Sequence, residues 1–160
     1  MPSDVFIRRA SPEDIDEITG IFRSTVLHVN RKDYNEEQVK IWAQSADKSE
    51  KFLARMNEQY FIVAEMENSI CGFASFASDG YLDLMYVHKD CQGRGIANLL
   101  IKELERYAAE QKIHHIYSDA SITAKPFFEK MGFVVVKKNS KMLGGTAFIN
   151  YTMNKSLLTA

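Results

Sequence analysis

Hydrophobic and polar residues along this chain switch between two periods. Residues 4–10 (DVFIRRA) read as a first strand. From Ser11 the period lengthens, and Ile15, Ile18, Ile21 and Phe22 form one stripe of a helix. Ser11 suits the N-cap, Pro12 the first helical position, and Asp14 the positive end of the helix dipole. A second helix is predicted from about Asn35, carrying Val39, Ile41, Trp42 and Ala46, and a shorter third over 47–56 (DKSEKFLARM). At Tyr60 the texture changes. Residues 60–66 (YFIVAEM), 70–78 (ICGFASFAS) and 81–88 (YLDLMYVH) read as three strands. The last two are joined through Asp79-Gly80, a hairpin dipeptide, so an antiparallel meander is expected.

A long amphipathic helix follows, with Leu99, Leu100, Ile101, Leu104 and Ala108 at helical spacing. Then come a strand at 114–120, a helix at 122–132 ended by Gly132, and strands at 133–138 and 144–155. No repeat, linker or low-complexity stretch interrupts this order, so residues 1–160 are expected to form a single domain. The fold class expected is α/β (α+β), with a mixed, mostly antiparallel sheet of about seven strands and helices on both faces.

Composition removes several functions. The net charge of −1 gives no positive field for nucleic acid or an anionic lipid surface, so neither is expected as a partner. No apolar run approaches the roughly 18 residues of a membrane span, and the opening residues MPSDVFIRRASPED lack the apolar centre of a secretory signal. Cys71 and Cys91 form no CxxC and no zinc-like spacing with the four histidines, so no metal is expected. Two isolated cysteines fit a reduced, cytoplasmic protein.

The stretch CQGRGIANLLIKEL, residues 91–104, carries the first chemical signal. A helix N-terminus offers unpaired N–H groups and a partial positive charge, which together hold anions. Gly93 and Gly95 let backbone approach a ligand closely, Ala97 is small, and Asn98 can add a donor. The Gly-x-x-x-x-Gly-Lys-Ser/Thr of a phosphate-binding loop is absent. A dinucleotide fold would need a third glycine and a parallel βαβ setting, and this loop follows a meander.

Gln92-Gly93-Arg94-Gly95-Ile96-Ala97 resembles motif A of the GNAT acetyltransferase superfamily, Gln/Arg-x-x-Gly-x-Gly/Ala. Residues 120–133 (ASITAKPFFEKMGF) resemble its motif B, and the order of elements along the whole chain agrees. YNEEQVKIWA, DASITAKPFFEK and FINYTM are similar to the YafP-like branch. The resemblance implies acetyl-CoA as co-substrate. Backbone N–H groups of Gly93, Arg94, Gly95, Ile96 and Ala97 would hold its pyrophosphate, with Gln92 and Asn98 beside them. Its pantetheine would pair with the strand end at Met85, Tyr86 and Val87, where such proteins splay two strands apart. Ser121 and Phe128, in motif B, are counted with the CoA contacts.

The implied reaction is acetyl transfer to a primary amine of a small molecule, by direct attack on the thioester. At pH 7 an amine of pKa about 10.4 is neutral in roughly one molecule in a few thousand, so a base is needed. Alternation along 81–88 would place Tyr81, Asp83, Met85 and Val87 on one face, and Asp83, unfavoured within a strand, is the candidate base. The resemblance allows Tyr81 as well. The acid that would protonate the leaving thiolate is commonly a tyrosine of motif B, and Phe128 stands in its place. Tyr117, Tyr151, Ser121, Cys91, water and no acid at all stay open. Acceptor contacts are expected from the helical N-terminal third, at His28, Tyr34 and Trp42. A monomer and a homodimer are both compatible with the chain. The missing tyrosine also leaves room for an acyl-CoA sensor or interaction module with little turnover.

Overall fold

The computed structural model describes residues 4–157. Strand β1 (Val5–Arg9) leads through a 3-10 turn into helix α1 (Ile15–His28). The N–H of Ser11 donates to Asp14 Oδ2 at 2.8 Å, and Arg8 grips the same carboxylate with two guanidinium nitrogens at 2.9 Å. The start of α1 is therefore tied to β1 by charge-assisted bonds. Helix α2 (Glu36–Ala43) begins with a reciprocal capping box between Asn35 and Gln38, and helix α3 (Ser49–Glu58) follows.

Strands β2 (Tyr60–Met66), β3 (Ser69–Phe76) and β4 (Leu82–Val87) form the expected meander, with β1 added at its outer edge, in the order β1-β2-β3-β4. Helix α4 (Ile96–Glu110) and strand β5 (His115–Ser121) come next, then helix α5 (Lys125–Lys130) and strands β6 (Val134–Leu143) and β7 (Thr146–Ser156). β6 runs five residues beyond the predicted strand. As the outer strand of its sheet it exposes Lys137, Lys138 and Val136, so no alternation marks its far half.

The seven strands divide into two sheets, β1-β2-β3-β4 and β5-β7-β6, and every strand pair within them is antiparallel. Between β4 and β5 the join is confined to one end. A parallel bridge links Tyr81 to Tyr117, the N–H of Tyr117 donates to Gly80 O at 3.0 Å, and Ser118 Oγ donates to Leu82 O at 2.8 Å. Gly80 is required there: at φ +100°, a Cβ would lie 2.4 Å from His115 O. Beyond this stitch the sheets part.

Two apolar cores lie on opposite faces. On one, α4 and α5 cover Leu100, Ile101, Leu104, Phe128 and Met153; on the other, α1–α3 cover Ile18, Phe22, Phe52, Phe61 and Phe73. Each fully buried leucine or isoleucine of α4 contributes about 2 kcal/mol. The first turn of α4 sits directly on β3: a Cβ at Gly72 would lie 3.0 Å from Ile96 Cγ2. That close approach fixes where the loop before α4 points.

Candidate active site

The loop before α4 folds as an open cradle. Gly93 and Gly95 have φ of +76° and +81°, and a Cβ on either would meet no atom within 4 Å. The space beside both glycines is therefore open, and both line the cavity described below. Gly95 is the N-cap of α4, whose first turn carries no acidic residue and no side-chain cap, so its N–H dipoles stay available to an anion. Arg94 is exposed on the outer side of the loop and does not line the cavity described below. Gln92 does not point its amide into the cradle, since Nε2 donates to Val87 O at 2.7 Å.

The cradle continues into the edge of β4. His88 N–H donates to Cys71 O, so residues 71 and 88 form a hydrogen-bonded pair of the β3–β4 ladder. Alternation then turns the N–H and C=O of Tyr86 to Phe73, and those of Met85 and Val87 toward the gap between the sheets. Val87 O is occupied by Thr25 Oγ1 at 3.2 Å as well as by Gln92. Met85 N–H, Met85 C=O and Val87 N–H are thus the edge groups of this strand that face the gap. Tyr86 takes part through its ring, which packs 4.8 Å from Phe22 and 5.5 Å from Phe73, centroid to centroid.

One cavity of about 760 Å³ joins the cradle, the parted sheet edges and the helical face. Its loop end is bounded by Gly93, Gly95, Ile96, Ala97 and Asn98, and by Ser121 and Phe128 across the gap. Its far end is bounded by α1–α3 and by Phe148 of β7. Ser121 Oγ accepts from Ala124 N–H at the start of α5. Phe128 is 4% exposed, packed edge-on against Phe133 and Phe127, and brings no hydroxyl to the cavity.

Asp83 lies in this cavity, though not on the face that strict alternation predicts. Ser75 pairs with Leu84 and Phe76 with Leu82, which leaves Asp83 as the extra residue of a β-bulge. Past the bulge, Leu82 joins the α4-side core with Met85 and Val87, and Asp83 turns to α3. Its Oδ2 accepts from Arg55 Nε at 2.9 Å and Gln59 Nε2 at 3.0 Å.

The candidate tyrosine acids sit elsewhere. Tyr81 and Tyr117 pack on each other at the stitched end, 5.0 Å between centroids, and neither lines the cavity. Burial first, and then Asp119, push the Tyr81 phenol above its ordinary range, and a 2.7 Å bond to Asp79 raises Tyr117. Tyr151 packs under Lys125, whose Nζ is 5.1 Å from its ring centroid, and also lies off the cavity. Of the expected acceptor contacts, Tyr34 and Trp42 line it and His28 is exposed away from it. The Tyr34 hydroxyl is raised by burial and already committed, donating to Ile149 O at 2.7 Å and accepting from Ile122 N–H at 2.9 Å. Lys48, Lys51, Phe52 and Arg55 complete that wall and were missed, because charges on short helices read as a solvated surface. Among the described residues no cluster of His, Cys, Asp or Glu could hold a metal, and no helix is long and apolar enough to cross a membrane.

Residues 30–155 match the family model of the acetyltransferase (GNAT) domain. The chain belongs to the GNAT acetyltransferase family. It is 32% identical over 151 residues to the N-acetyltransferase YafP of Escherichia coli K12, covering 94% of this chain and 95% of that protein. A GCN5-related N-acetyltransferase from Rhodopseudomonas palustris is 35% identical over 96% of each chain, with a TM-score of 0.92. The PaiA N-acetyltransferase of Thermoplasma acidophilum, solved with coenzyme A, shares the fold at a TM-score of 0.80 and 20% identity, over 95% of this chain and 98% of that one. The family uses acetyl-CoA as its acyl donor, and the open cradle and the parted edge of β4 fit such a group.

Proposed function

We propose that this GNAT protein transfers an acetyl group from acetyl-CoA to a primary amine of a small molecule, by direct attack of the amine on the thioester. The observation that carries the proposal is the continuity of three features: a cradle whose two glycines leave open space, a strand edge with free groups at Met85 and Val87, and a carboxylate at Asp83 in the same cavity.

Acetyl-CoA, when bound, supplies an activated acyl carbon and a thiolate leaving group. The N–H groups of residues 93–97 hold negative charge by backbone alone, without a lysine. Met85 N–H faces the gap and can donate to charge building on the acyl oxygen, without reorganising during the reaction. Asp83 receives the proton of the amine through Oδ1, because both described bonds converge on Oδ2. Phe128 offers no proton, so the thiolate leaves without a tyrosine acid; a free thiol of pKa near 8.5 makes that a tolerable departure.

Phe128 also favours a second reading, an acyl-CoA sensor with little turnover. Calorimetry with CoA, followed by thiol detection across an amine panel, separates the two. Binding with turnover supports the enzyme, and binding without turnover on any amine supports the sensor. Absence of CoA binding overturns both.

A further inference from the structure

The cavity has a wall that the mechanism above leaves unused. Trp42, Ser45, Lys48, Phe52 and Arg55 recur every three to four residues through α2, the following 3-10 turn and α3, and all face it together with Lys51. They lie on two helical segments that meet at Lys48, whose backbone leaves the helical region at φ −98° and ψ 66°. Three of these residues are cationic. Arg55 is matched by Asp83. Lys48 and Lys51 are exposed and form no ion pair with another described residue. The neighbouring Asp47 is paired with Arg23, and Glu50 does not line the cavity. Three cations against one carboxylate leave this wall with two unmatched positive charges.

Beside the lysines the cavity presents one half-buried ring, Trp42, backed by the buried rings of Tyr34, Phe148 and Phe52. Trp42 packs 5.2 Å from Tyr34 and 6.3 Å from Phe148, and Phe52 packs 5.4 Å from Phe22, between ring centroids. An amine with a second positive charge would meet repulsion here, whereas an amine that also carries an anion would be drawn in. Lys51 and Lys48 precede Arg55 by four and seven residues, so they lie roughly 6 and 10 Å from it along the helical path. Arg55 marks the position of Asp83.

We propose that the acceptor is an amino carboxylate built on an aromatic or bulky apolar body. Its carboxylate sits on Lys48 and Lys51, its body against Trp42, and its amine at Asp83. This rests on the acetyltransferase reading and adds the class of acceptor.

Three matched probes test it: 4-(aminomethyl)benzoate, benzylamine and 4-(aminomethyl)benzylamine, which differ in the charge of one substituent. With saturating acetyl-CoA and thiol detection, kcat/KM is expected to be highest for the carboxylate, by about 10-fold over benzylamine, and lowest for the diamine. The advantage should shrink as salt is raised. The double variant Lys48→Gln/Lys51→Gln keeps helix propensity and should lose the advantage through KM more than kcat. Equal or better use of benzylamine or the diamine overturns the proposal, as does an advantage that survives in the variant. If no probe is acetylated, the amine panel decides between enzyme and sensor, and the charge reading is decided by binding. Trp42 is the sole tryptophan of the chain and lines the cavity, so its fluorescence reports binding without turnover. With CoA present, saturable binding of 4-(aminomethyl)benzoate that weakens about 10-fold in the double variant supports the proposal. No saturable change, or equal affinity in the variant, overturns it.

Discussion

Arg55 Nε lies 2.9 Å from Asp83 Oδ2, and this pair ties the bulge of β4 to α3. The bulge and the ion pair act together. Without the extra residue, the carboxylate would be directed to the α4 side; without Arg55 and Gln59, a half-buried acid would lack its partners. Asp83→Asn should lower kcat at neutral pH by about 100-fold or more while CoA affinity stays within about 2-fold. The pH–rate profile checks it: an unchanged profile removes Asp83 as the base.

The cradle predicts a variant that affects binding before chemistry. Gly95→Glu puts a like charge where we propose the pyrophosphate sits, at a backbone conformation that side chains rarely adopt. Calorimetry should find CoA affinity lowered at least 100-fold, or about 2.7 kcal/mol. Gly95→Ala, which adds only backbone strain of about 1–2 kcal/mol, should retain part of it.

A third expectation concerns acid. Asp14 is held below the usual carboxylate range chiefly by the hydrogen bonds from Arg8. A depressed carboxylate contributes stability above its unfolded pKa, near 3.9, that disappears as pH falls through its folded pKa. Arg8→Gln should cost about 1–2 kcal/mol at pH 7, a figure limited by the solvent exposure of Arg8. The difference from wild type should narrow below pH 4. Urea melts across pH 2–7 measure this directly.

Phe128 separates two effects. Phe128→Tyr should change kcat by less than about 3-fold if the thiolate departs without an acid, and a large increase would show that proton donation limits turnover. Phe128→Ala should cost about 3–5 kcal/mol in a chemical melt, because the ring fills the cluster with Phe127 and Phe133.

Cys71 and Cys91 should react differently. Burial pushes the Cys71 thiol up to about 11, and its Sγ donates to Ala64 O at 3.3 Å. At pH 8, alkylation of the native protein should spare Cys71, and both should label once the chain is denatured. Mass spectrometry of the labelled peptides reads the result.

Much of this architecture is legible in the chain because its periods are clean. The stripe from Leu100 to Ala108 gives α4, and the apolar runs of β2 and β3 with the short connections that follow them give the meander. The glycine pair and motif B point to the donor end. The bulge at Asp83 is not legible, since one inserted residue leaves the run YLDLMYVH looking like any strand. The acceptor wall is hidden for another reason. Lys48, Lys51 and Arg55 reach one cavity only in the folded chain, where Arg55 meets Asp83 across 28 residues and Gln38 Nε2 of α2 donates to Ala147 O across 109 residues. Tyr34 is fixed by partners 88 and 115 residues away, which no local pattern announces.

The parted sheets, stitched only beside Tyr81 and Tyr117, have a mechanical consequence. They form a wedge joined at its narrow end, and a group pairing with Met85 and Val87 would be its missing rung. On the proposed reading, that rung is the pantetheine of acetyl-CoA. A ligand present at 100 times its dissociation constant adds about 2.7 kcal/mol to the folded state. The lifetime of this protein in a cell should therefore rise and fall with the supply of acetyl-CoA, so that the enzyme is most durable when its donor is abundant.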